Sequence, residues 1–150
     1  MLEALEAFGP AALFRSSFVL YPLVNALHIL AIGALVTSAL LMDLRVLGAG
    51  SGVPLDTVIR YLRPVAVTAL IVAALSGITL FSVQPAEYFA NPAFVIKMLL
   101  LAAAVANAAV FTSFRAHRQV EQTVTKVMAV LSIALWISVA VAGRFIGFLV

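Results

Sequence analysis

The stretch FVLYPLVNALHILAIGALVTSALLM, residues 18–42, decides the fold. Its apolar character is nearly unbroken. Crossing a bilayer core of about 30 Å takes about 20 such residues in a helix rising 1.5 Å per residue. The stretch is long enough to span, and it carries His28 inside it. An ionisable, ligand-capable side chain at bilayer depth is costly, so His28 is a functional candidate by default.

Composition extends this reading to the whole chain. Of 150 residues, 65% are hydrophobic and only 10% charged, and the mean hydropathy is +1.19. A soluble domain carries roughly 25% charged residues; too few polar groups are present here to cover a water-facing surface. There is no cysteine, which excludes disulfides, thiolate metal sites and covalent haem attachment. The net charge of +3 is modest. The basic residues flank apolar segments and read as topology signals, not as a nucleic-acid surface.

Four spans are expected, at about residues 18–42, 61–82, 92–114 and 123–145, forming a single domain. Gly48, Gly50, Ser51, Gly52 and Pro54 mark the first loop. Pro64 is expected in the first turn of the second span, where proline is tolerated. Asn91-Pro92 reads as an N-cap followed by proline at the first helical position. Before the first span, MLEALEAF is acidic where a secretory leader would be basic. With Leu2, Leu5 and Phe8 on one side, it predicts a short interfacial helix. Short connections favour antiparallel neighbours, so the fold class is all-α, a transmembrane up-down four-helix bundle. Two small-residue stripes, Ala69/Ala73/Gly77 and Ala134/Ser138/Ala142, are expected to let helices approach closely.

Loop charge sets the orientation. Arg45, Arg60, Arg63, Arg115, Arg118 and Lys126 lie on the first and third loops, while the second loop has Glu87 and no basic residue before Lys97. The positive-inside rule puts the arginine-rich loops in the cytoplasm of a bacterium and both termini in the periplasm. Asp43 and Arg45, with Arg60, Arg63 and Arg115, read as topology anchors at the inner interface.

Counting residues from the charged ends assigns depths. His28 lies about 22 Å above Asp43, roughly 8 Å below the outer boundary. Lys97 is about 8 Å below the outer side, Ser76 and Gly77 about 20 Å above Arg63, and Arg144 about 27 Å above Lys126. Asn25 is one turn above His28. All four spans therefore contribute to one outer layer of Asn25, His28, Ser76, Gly77, Lys97 and Arg144. Each member also has a plainer role. Lys97 and Arg144 can snorkel to the headgroups, His28 can hydrogen-bond a neighbouring helix, and Gly77 can serve packing. Asn107 is expected to bond between helices and Trp136 to fill the core.

A neutral imidazole in an apolar bundle is a standard axial ligand of haem iron. The two haem propionates call for Lys or Arg near an interface, and His28 with Lys97 and Arg144 matches that need. One intramembrane histidine supplies one axial ligand. The haem would be five-coordinate, take a non-histidine sixth ligand or sit at a subunit interface. Soft Cu(I) prefers thiolate or thioether ligands; cysteine is absent and the methionines, Met1, Met42, Met98 and Met128, are scattered. Quinone binding by His28 and Lys97 needs no metal. No nucleophilic triad, phosphate loop or metalloprotease motif is present, and whether the chain is an enzyme stays open.

Tyr21-Pro22, His28, Gly33, Asp43-Leu44-Arg45, Gly48, Asn91-Pro92, Lys97, Trp136 and Gly143-Arg144 together resemble a family of small bacterial four-span membrane proteins. That group is similar to the membrane domain of the copper-resistance D proteins and, more distantly, to the haem-containing bacterial protoporphyrinogen oxidases. The resemblance covers nearly the whole chain. It implies haem or porphyrin binding, with His28 and Lys97 matching a first-span histidine and a third-span lysine of the oxidases; the copper-resistance likeness implies metal handling. The chain lacks the additional intramembrane histidine of the oxidases. The expectation is therefore a multi-pass protein of the bacterial inner membrane that binds haem b, with His28 as metal ligand. Electron transfer, or service as the membrane subunit of a redox complex, is the expected function. An accessory subunit packed against larger membrane partners, a homo-oligomer and a copper-handling protein are the alternatives.

Overall fold

A computed structural model describes residues 19–116 and 122–148, with the side chains of 114–116 outside that description. The expected N-terminal interfacial helix and the polar turn with His117, Arg118 and Glu121 also lie outside the described residues. The elements are α1 (Leu20–Val46), α2 (Leu55–Phe81), α3 (Pro85–Ala90), α4 (Pro92–Ala116) and α5 (Gln122–Ile146). Four of them, α1, α2, α4 and α5, are long and apolar enough to cross a membrane, and they form the expected up-down bundle. Helix α1 packs against both α2 and α5, and α5 against α4; the backbones of α2 and α4 stay further apart.

The core follows from small side chains set against one large one. Leu35 and Ala39 of α1, Ala66 and Ala69 of α2, and Ala104 of α4 surround Trp136 of α5. Trp136 is only 3% exposed, so it fills the core as expected. The stripe on α2 packs as its spacing predicts: Ala69 and Ala73 are buried, and Gly77 lies against the His28 ring of α1. The stripe proposed for α5 does not. Ala134 is exposed, and the buried face runs through Ala129, Ser132, Trp136 and Val139. At about 100° per residue, Ala134 stands far round the helix from Trp136.

The start of α2 and the loop after it differ from expectation. The helix begins at Leu55, six residues before the expected span, so Pro64 sits inside it and not in its first turn. There it removes the backbone donor that the Arg60 carbonyl would otherwise receive. Arg60 is exposed, so this carbonyl can find a donor outside the helix. After Phe81 the expected loop contains the short helix α3, with Pro85 at its start and fully buried. Phe81, Tyr88, Phe89 and Phe94 pack ring against ring, with centroids 5.2–6.3 Å apart. Burial, with Tyr21 and Glu87 adding to it, pushes the Tyr88 phenol up to about 12. It therefore stays neutral, and its hydrogen bond with Tyr21 ties α3 to α1.

Asn91 behaves as its sequence context predicts. Its Oδ1 accepts from the Ala93 amide at 2.9 Å, capping α4, and its Nδ2 donates to the Ile146 carbonyl at 3.2 Å. One side chain thereby joins the start of α4 to the end of α5. At the opposite end, Gly48 (φ 108°) and Gly50 (φ 63°) take the left-handed turn between α1 and α2. The Arg45 Nε closes that loop by donating to the Val53 carbonyl at 2.7 Å. The two ends of the bundle are accordingly a short-helix end and an arginine end.

Candidate functional site at the short-helix end

His28, Ser76 and Gly77 meet where α1 crosses α2. The His28 Nδ1 lies 2.9 Å from the Ser76 Oγ. Ser76 is buried, and its Oγ lies 2.6 Å from the Val72 carbonyl one turn back and 3.3 Å from the Ala73 carbonyl. A hydroxyl has one proton, and carbonyls only accept. The Ser76 proton is thus committed to its own helix, and Ser76 accepts from the His28 Nδ1–H. This fixes the imidazole as the Nδ1–H tautomer and leaves a lone pair on Nε2. Metal-binding histidines are oriented in this way, by a hydrogen bond at the nitrogen that does not ligate.

Gly77 makes the approach sterically feasible. A Cβ at residue 77 would stand 3.0 Å from the His28 Cε1 and 3.6 Å from its Nδ1. The ring lies against bare helix backbone, and any side chain there would displace it.

Lys97 enters the same layer from α4. It is partly buried, and it rests on Gly143 of α5: a Cβ at 143 would lie 3.4 Å from both Cε and Nζ of Lys97. Among the described residues, Lys97 makes no hydrogen bond or ion pair. An ammonium group in the same layer as an imidazole nitrogen able to ligate suits a ligand that offers both a Lewis-acidic centre and a negative group.

The remaining expected members stand elsewhere. Asn25 is exposed; three residues from His28, it is rotated about 60° off the His28 direction. Arg144 is exposed and turns outward, its guanidinium 4.6 Å from the centre of the Phe148 ring. Its neighbour Gly143, which the depth count did not single out, supplies the contact with Lys97. The signal for Gly143 was its own lack of a side chain opposite a lysine. Asn107 bonds between helices as expected, its Nδ2 donating to the Met128 carbonyl at 3.2 Å. Among the described residues no three His, Cys, Asp or Glu side chains cluster to hold a metal ion.

Comparison with curated proteins gives no match, and comparison with solved structures gives none. Residues 17–149 match the family described as "Family of unknown function (DUF6644)", and the chain belongs to that family.

Proposed function

We propose that this protein binds a b-type haem near the periplasmic face of the bacterial inner membrane and acts in electron transfer or as the membrane subunit of a redox complex. The free Nε2 lone pair of His28 carries this reading. The residues fit such a group by their chemistry: His28 would ligate the iron, with Ser76 holding the ring and Gly77 giving it room. Lys97 would pair with a propionate. Haem supplies a one-electron redox centre when bound. The chain's own residues orient the ligand, place a cation for the carboxylate and line the rest of the layer with apolar groups. The arginine end faces the cytoplasm by the positive-inside rule, which puts His28 and Lys97 toward the periplasm.

A visible spectrum tests the proposal. Protein expressed with ample haem should show a Soret band that disappears in a folded His28→Ala variant and weakens in Lys97→Gln. A colourless wild-type protein would overturn it.

One observation favours a second role as an accessory subunit or homo-oligomer. Only 6% of the α4 span is buried within the chain, against 22–28% for the other three. A helix so little used by its own bundle has surface to give a membrane partner. Purification from native membranes in mild detergent should then yield a complex, and a monodisperse monomer would remove this reading.

A further inference from the structure

A second polar layer lies at the arginine end. Asp43 of α1 is 8% exposed and Ser132 of α5 7% exposed, and the Ser132 hydroxyl hydrogen-bonds the Asp43 carboxylate. One turn away on α5, the Met128 carbonyl receives the bond from Asn107 of α4. Helices α1, α4 and α5 are thus joined by polar groups. One atom is left over: the Asp43 Oδ2 is buried and has no hydrogen-bond partner.

No described cation answers it. Arg45, two residues on, is turned to the Val53 carbonyl. On α2, Arg60, Arg63 and Asp56 are exposed, and on α5 Lys126 is exposed. Lys97 of α4 belongs to the other layer. The side chains of Arg115, His117, Arg118 and Glu121 lie outside the described residues. An ionised carboxylate with one bare oxygen in an apolar bundle is an uncompensated buried charge, the arrangement that interiors avoid most strongly. Two or three further acidic or histidine ligands would suit a divalent ion, and none clusters there among the described residues.

We propose that Asp43 is a proton-binding site. Its Oδ2 takes one proton from hydronium at the arginine end, converting the carboxylate to the acid and releasing water, and returns it to the same side. No electron moves. The Ser132 hydroxyl can donate to the other oxygen in either state. Leu35, Ala39, Ala69 and Trp136 lie between this site and His28, so exchange runs to the arginine end and not through the bundle. The proposal stands independently of haem binding.

Infrared spectroscopy of the full chain in lipid nanodiscs tests it. The chain has two aspartates, Asp43 and Asp56, so carboxyl labelling with 13C-aspartate reports on very few groups. At neutral pH the wild type should show a protonated-carboxyl C=O stretch that moves on aspartate labelling. The band should be absent from Asp43→Asn and move to higher frequency in Ser132→Ala, which loses the hydrogen bond. A wild-type spectrum without that band overturns the proposal without recourse to any variant. Persistence of the labelled band in Asp43→Asn also overturns it. So does a thermal stabilisation by sodium chloride over choline chloride that vanishes in Asp43→Asn, since the bare oxygen would then serve a metal cation.

Discussion

The two polar layers of this bundle are built from similar parts and end in opposite states. At the short-helix end, Ser76 gives its proton to its own helix and accepts from His28. The imidazole is held, and the group left over is a neutral lone pair. At the arginine end, Ser132 donates to Asp43, and the group left over is a buried carboxylate oxygen. A serine one turn from a small-residue contact therefore plays two roles, acceptor in one layer and donor in the other. The partner's chemistry decides which: an N–H needs an acceptor, and a carboxylate needs a donor. Between the layers sits Trp136 with its ring of alanines and leucines.

Breaking this arrangement should produce graded effects. The largest is functional: His28→Ala removes the proposed iron ligand and should abolish any Soret band while leaving helical circular dichroism unchanged. Next is the divider between the layers. Trp136→Ala opens a cavity against α1, α2 and α4 and should destabilise the bundle by about 3–5 kcal/mol, read by denaturant titration in bicelles. Gly77→Ala comes third. Its Cβ would meet the His28 ring at 3.0 Å, and the imidazole must move or the helices must part. A cost of about 1–3 kcal/mol is expected, with His28 ring signals shifted in NMR spectra. Ser76→Ala leaves the His28 Nδ1–H without its acceptor and should cost about 1 kcal/mol. It should also change the tautomer balance, visible in the 15N shifts of the imidazole. Asn107→Ala should have the smallest effect, about 0.6 kcal/mol, as is typical of a hydrogen bond between helices in lipid.

Much of the architecture was legible from residue order. Apolar length located the spans, Asn91-Pro92 located a helix start with its cap, and counting at 1.5 Å per residue brought His28 level with Ser76 and Gly77. Their contact at 2.9 Å agrees with that count. Depth is a one-dimensional property, and a helix of fixed rise preserves it. The same counting could not separate Arg144, which turns out onto Phe148, from Gly143, which seats Lys97. Asp43 looked like one more interfacial charge among arginines, and it is buried against α5.

The order of residues was thus sufficient for the number of spans and the level of each polar group, because bilayer thickness and helix rise are constants. Rotation about each helix axis was settled by packing. In water an amphipathic stripe marks the buried face, but a spanning helix is apolar all round, and lipid is as good a solvent for leucine as the core is. Close fit among Trp136, the alanines and the two glycines therefore chose which groups face inward. That choice brought His28 to Ser76, Lys97 to Gly143 and Asp43 to Ser132, and left Asn25 and Arg144 at the surface.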